Sequence, residues 1–173
     1  MKGVIVQCLQ ELVSVKFGID KWEKSLVDAG VPANSKFIVI SDVPDDVVMN
    51  VVQSVCKNLN ITLEQAATAF GDYWVNVYSQ KLYSNMYKFK KNAKDFLLYM
   101  DEIHINMTKT MKNAHPPRFE YELIGDNTLI MKYKSKRGLI DFLIGLIKGV
   151  GTYYNEKLDV RKLSDDKVQI DFK

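Results

Sequence analysis

Two consecutive prolines, Pro116 and Pro117, divide this chain into parts with different periodicities. A proline has no N–H for a helix or a sheet ladder, so neither element runs through such a pair. Ahead of the pair, apolar residues recur every three or four positions; behind it they alternate in short runs. The first pattern belongs to helices with one apolar face and the second to strands with one apolar face. The reading is α+β: a helical N-terminal half, then a small antiparallel sheet with packed helices.

In the helical part, Val4, Ile5, Cys8, Leu9, Leu12 and Val15 form a stripe that ends near Gly18. A second helix is expected over Asp20 to Asp28, stopped by Gly30 with Pro32 just beyond. Phe37 to Ile40 reads as a short strand or a buried connector. Asp42 or Pro44 opens a helix through Val47, Val48, Val51, Val52 and Val55. Thr62-Leu63-Glu64-Gln65 is a capping box for another, running through Phe70, Trp74 and Tyr78. Gly71 inside it costs about 1 kcal/mol relative to alanine, which points to close packing there. Asn92 caps the last helix of this part, with Asp95 where the helix dipole favours an anion, and that helix is expected to reach about Asn113.

Beyond the prolines, Arg118–Ile124 and Thr128–Tyr133 read as strands joined by the hairpin signal Gly125-Asp126-Asn127. Ile140 to Asn155 returns to helix, with Phe142, Leu143, Leu146 and Val150 apolar. Asp159–Leu163 and Val168–Phe172 then form a second hairpin around Ser164 to Lys167.

At 173 residues the chain is expected to be one domain, 1–173. Its net charge of +3, spread over interspersed acids and bases, gives no mandate for nucleic acid. Lys88, Lys90, Lys91 and Lys94 are too short a patch to change that, and read as a solvated helix start or loop. Cys8 and Cys56 lie far apart without CxxC spacing, as in a reduced, intracellular protein. The amino terminus shows no basic leader or cleavage site. The most apolar stretch, Leu139 to Val150, is too short to span a bilayer and carries Asp141 and Lys148. A cytoplasmic protein without direct membrane insertion is expected.

On the Asn92-capped helix, Leu97, Met100, His104, Met107 and Met111 share one stripe at helical spacing. An imidazole on such a face can be a hydrogen-bonded core residue or a ligand. Thr108 stands at i+4, so no second donor completes a bare-metal site; a single axial ligand to a flat, apolar cofactor remains possible. Later in the chain, Tyr133, Ser135 and Arg137 share one face if that backbone is extended. Two hydroxyls and a guanidinium can clamp carboxylates, or can be an edge strand with its polar groups in water.

Taken together, Met1-Lys2-Gly3, Phe70-Gly71-Asp72-Tyr73-Trp74, Met100-Asp101-Glu102-Ile103-His104, Pro116-Pro117-Arg118 and Tyr133-Lys134-Ser135-Lys136-Arg137 carry a resemblance. They resemble, in order and over essentially the whole chain, the haem nitric oxide/oxygen-binding (H-NOX) family, related to the haem domain of soluble guanylate cyclase. The resemblance implies a non-covalent protohaem IX (haem b) between the helical and sheet parts, with His104 as its proximal iron ligand. It implies that Tyr133, Ser135 and Arg137 hold the propionates, that Pro117 presses on the porphyrin, and that Met100 belongs to the same wall as His104. It implies a ligand pocket lined by Ile5, Leu9, Trp74, Val75, Phe142 and Leu146, with Tyr78 one turn beyond Trp74. In oxygen-binding members a distal tyrosine follows the propionate motif; here Phe142 stands there and cannot donate. Bound O₂ gains from a donor far more than NO or CO, so the expected ligands are NO and CO. Trp74 or Tyr78 could supply a donor instead, which keeps an O₂ sensor as the alternative, beside a haem carrier.

No enzyme is expected, because the pocket positions offer no polar acid or base. Signalling is expected to follow weakening of the His104–iron bond by NO. The family's outputs are a histidine kinase, a diguanylate cyclase, a guanylate cyclase or a chemotaxis receptor, fused or separate.

Overall fold

The first apolar stripe folds as α1 (Gly3–Phe17), and Gly18, at φ +99°, turns the chain straight into α2 (Ile19–Asp28). Only a residue without a Cβ adopts that backbone cheaply, so the helix break sits where the sequence has glycine. The computed structural model describes residues Met1–Lys173 and resolves into two compact units, Met1–Ala66 and Ala67–Lys173. In the first unit, Trp22 and Leu26 of α2 are buried with Val6, Leu12 and Val13 of α1 and with Val51 and Val55 of α3 (Asp45–Leu59).

Phe37 to Ile40 is neither a strand nor a buried connector. It is irregular chain, with Ile38 64% and Ile40 68% exposed. Its role is to cap: Val39 and Ser41 carbonyls accept from Val4 N–H (3.0 Å) and Gly3 N–H (2.8 Å), two of the amides that α1 leaves unpaired at its start. A Cβ on Gly3 would overlap the Ile38 carbonyl, so the close approach needs glycine. The capping box is realised, with Gln65 N–H on Thr62 Oγ1 (3.2 Å) and Thr62 N–H on Gln65 Oε1 (2.8 Å).

Helix α4 (Leu63–Tyr73) runs into a π-helical turn, Trp74–Tyr78, and then into α5 (Ser79–Lys88), with non-helical backbone at Tyr83. The sequence predicts a helix through Tyr78 but not this widened turn. Helix α6 (Ala93–Thr110) begins under Asn92, whose Oδ1 accepts Asp95 N–H at 2.7 Å. It ends three residues short of Asn113: Met111 is extended (φ −117°) and Asn113 is left-handed.

The sheet has the order β1-β2-β4-β3, all antiparallel, from β1 (Arg118–Ile124), β2 (Thr128–Lys134), β3 (Leu158–Ser164) and β4 (Lys167–Phe172). Alternation sends Leu129, Met131, Tyr133, Val168 and Ile170 to one face, where they are buried with Phe96, Leu97 and Ile103 of α6 and Ile140, Leu143, Ile147 and Val150 of α7 (Ile140–Tyr154). The α+β reading therefore holds. No helix is long and apolar enough to cross a membrane.

Two helices of the second unit meet backbone to backbone. A Cβ on Gly71 would overlap the Gly145 carbonyl, one on Gly145 would overlap the Ala67 carbonyl, and one on Gly149 would lie 2.6 Å from Gly71 O. Ala67 and Gly71 of α4 thus face Gly145 and Gly149 of α7, which explains the glycine inside α4.

Candidate functional site

His104 lies in the last turns of α6, half-buried. The buried residues of that helix are Ala93, Phe96, Leu97 and Ile103, whereas Met100, His104 and Met107, with Met111 at its C-cap, form a half-buried stripe beside them. The imidazole is therefore at the border of the core rather than inside it.

Its Nδ1 is 2.7 Å from the Pro117 carbonyl oxygen. A carbonyl can only accept, so the proton sits on Nδ1 and Nε2 presents its lone pair. Burial pushes the imidazole below its ordinary pKa, against the opposing pull of the Pro117 bond and of Asp101, which favours the neutral ring. A neutral ring with its second nitrogen held by a carbonyl is what an axial metal ligand requires. No group of three His, Cys, Asp or Glu side chains gathers for a bare ion. The donor chemistry thus fits a cofactor that needs one protein ligand.

Asp101, one turn before His104, accepts both Arg118 Nε and Arg118 Nη2 (2.7 Å each) and Phe119 N–H (2.8 Å). The Arg118 bonds hold its carboxyl below the usual range. Tyr121 Oη accepts Asp101 N–H at 3.1 Å, so the start of β1 is fastened to α6 through both the backbone and the side chain of Asp101. Sequence reasoning quoted Asp101 and Arg118 without seeing that they pair. The two residues stand seventeen positions apart, so no local signal announced the pair.

Tyr133, next to last in β2, lies on its buried face opposite Phe119 in register, with ring centroids 6.2 Å apart. Phe119 in turn lies 5.3 Å from the His104 ring. Ser135 and Arg137 do not continue the strand as the shared-face argument requires. The strand stops at Lys134, Lys136 and Arg137 are in a turn, and Gly138 is left-handed (φ +63°). Ser135 Oγ accepts Arg137 N–H at 3.3 Å, a local bond that turns the chain. The Arg137 Nη1 then donates to the His115 carbonyl at 2.6 Å, two residues before the carbonyl that His104 holds. Lys134, on the opposite face, pairs with Glu120.

Of the expected pocket residues, Trp74, Val75 and Tyr78 lie on the π turn, and Phe142 and Leu146 on α7. Trp74 stacks with Phe70 (6.0 Å) and with Tyr78 (5.8 Å), while Phe142 meets Phe70 edge-on at 5.6 Å. Val75 and Tyr78 are buried; Trp74, Phe142 and Leu146 are partly so. Ile5 and Leu9 lie on α1, in the other unit.

Comparison with known proteins follows the same lines. The chain is similar to the soluble guanylate cyclase gcy-35 of Caenorhabditis elegans, at 23% identity over 171 residues, covering 96% of this chain and 25% of that protein. It is similar also to the soluble guanylate cyclase 89Da of Drosophila melanogaster, at 24% identity over 84% of this chain and 22% of that protein. The chain thus spans about a quarter of the length of these cyclases. Among solved structures, an oxygen-binding H-NOX domain related to soluble guanylate cyclases, in its oxygen complex, superposes with a TM-score of 0.85 at 26% identity, covering 100% of this chain and 95% of that one. An H-NOX protein from S. oneidensis in the Fe(II)NO state shares the fold at a TM-score of 0.89 and 19% identity, covering 100% and 99%. The family model described as "Haem-NO-binding" (HNOB) matches residues 2–162, and the chain belongs to that family of haem-binding gas-sensor domains.

Proposed function

We propose that residues 1–173 act as one sensor domain that holds a non-covalent haem b through His104, binds NO and CO at its ferrous iron, and excludes O₂. The observation that carries this reading is the His104 Nδ1–Pro117 carbonyl bond of 2.7 Å, which fixes the tautomer and leaves Nε2 as a donor. Tyr133, Ser135 and Arg137 would hold the propionates, with Pro117 and Met100 against the porphyrin. Trp74, Val75, Tyr78, Phe142 and Leu146 would line the gas side. The haem supplies the gas-binding iron; the chain supplies the imidazole, the cation for the carboxylates and the apolar wall.

Selectivity rests on what the wall cannot do. Phe142 and Leu146 carry no donor, so a ligand that gains charge on binding finds no proton on α7. His104 couples the site to the rest of the molecule. Any change at Nε2 alters the Nδ1–H bond to Pro117, and with it the segment between α6 and β1. The output would be read in the cytoplasm by a separate or fused partner such as a histidine kinase, diguanylate cyclase or chemotaxis receptor, without catalysis by this domain.

The test is the absorption spectrum of the reduced protein under argon, NO, CO and air. Distinct shifts with NO and CO, and none in air, are expected; a stable, reversible shift in air would overturn the selectivity. Phe142→Tyr, which adds a hydroxyl, should produce that shift. A second reading, an O₂ sensor, is favoured by one observation: Tyr78 is buried and stacked against Trp74, so its phenol is inside the helix packing and not in water. Tyr78→Phe and Trp74→Phe would separate the two. Gas binding that alters no partner's activity would leave a haem carrier.

A further inference from the structure

The π turn is held open by side-chain amides. Ser79 N–H reaches back to the Trp74 carbonyl, five residues earlier, so the Val75 carbonyl loses its usual helical partner. Gln80 Nε2 takes its place at 2.7 Å. In the middle of the turn, Asn76 Nδ2 lies 3.1 Å from Asp72 O, 3.0 Å from Asp72 Oδ1 and 3.2 Å from Gly149 O. That last bond leaves the helix altogether and fastens the turn to the backbone of α7. The glycine contact makes it possible, because Gly149 has no Cβ and lies against Gly71.

The bond joins the two elements that carry the proposed gas-pocket residues, the π turn and α7. Asn76 lies between Trp74 and Tyr78 in sequence, and Gly149 lies three and seven residues after Leu146 and Phe142, on the same face of α7. We propose that Asn76 is a positioning residue: through the Gly149 carbonyl it sets the register between the Trp74–Tyr78 wall and the Phe142–Leu146 wall, and thereby how tightly the pocket holds a diatomic ligand. The inference rests on the pocket reading given above. It adds a residue that does not touch the ligand but determines where the residues that do are held. A hydrogen bond across two helices is directional, so its loss lets the walls slide where packing alone tolerates it.

The test uses the whole chain with 5-fluorotryptophan at Trp22 and Trp74, the resonances assigned with Trp74→Phe. In the haem-free protein, Asn76→Ala should shift the Trp74 fluorine signal and leave Trp22 unmoved. In the haem-loaded protein it should change the CO dissociation rate about fivefold or more, an effect of about 1 kcal/mol, with haem content unchanged. The swapped pair Asp72→Asn/Asn76→Asp keeps a bond within the helix but offers Gly149 no donor, so it should behave as Asn76→Ala does. An unmoved Trp74 signal, an unchanged CO rate, or rescue by the swapped pair would each overturn the proposal. If Trp74→Phe also leaves the CO rate unaltered, the pocket reading itself fails and the proposal falls with it.

Discussion

The two sides of the second unit's candidate site are built by different means. The side around His104 is assembled from directional bonds: Nδ1 on Pro117, Asp101 on Arg118 and Phe119, Arg137 on His115. The side around Trp74 is assembled from shape, with rings stacked on Phe70 and glycines that let α4 and α7 touch. Hydrogen bonds fix where a donor atom points, whereas packed rings and close helices fix how much room is left.

The largest effect that would break this contrast is steric. Gly145→Ala puts a methyl group into the Ala67 carbonyl and should lower stability by about 3 kcal/mol in chemical denaturation. Gly30→Ala, where nothing lies within 4 Å but φ is +76°, should cost about 1 kcal/mol for the left-handed backbone alone. Equal losses at both positions would mean that the helix contact is not tight.

Next comes the bonded side. Arg137→Ala removes the guanidinium and the His115 bond, and should speed haem loss to a scavenging apoprotein about tenfold, or about 1.4 kcal/mol. Lys134→Ala, paired with Glu120 on the other face, should change it less than about twofold, a few tenths of a kcal/mol. Asp101→Asn keeps the shape but loses the charged pair with the half-exposed Arg118, and should lower stability by about 1 kcal/mol.

The smallest effect sharpens the contrast on the outer sheet face. Thr128, Arg161 and Gln169 all donate to Asp171 and hold its carboxyl at about 2, against an ordinary 3.8. A depressed carboxylate contributes stability above its ordinary pKa and loses it as pH falls through the lowered one. The Asp171 carboxyl carbon should therefore titrate near pH 2 by NMR, and Thr128→Val, which removes the largest cause, should move that titration upward.

Much of this architecture was legible from local chemistry. The capping box at Thr62 and the Asn92 cap follow from bonds made within a few residues, and the bounds of β1 from the prolines before it and the turn after it, all of which a sequence displays directly. Gly71 announced close packing, and Gly145 is what it packs against. The π turn was not legible, because Phe70, Trp74 and Tyr78 recur every four residues in an α-helix and a widened helix alike. Neither was the turn at Ser135 to Arg137, where a hydroxyl and a left-handed glycine override the alternation of β2. Phe37 to Ile40 misled for a related reason: an apolar run usually signals burial, but here its backbone carbonyls are the useful part. The Asp101–Arg118 pair spans seventeen residues, beyond any local pattern.

The segment between α6 and β1 has prolines at 116 and 117, which have no N–H to bond with, and its carbonyls at 115 and 117 are grasped from outside. Its two handles come from different elements, an imidazole of α6 and a guanidinium from the turn after β2. Such a stretch, with no N–H of its own at either proline, has its course set by two side chains that reach it from other elements.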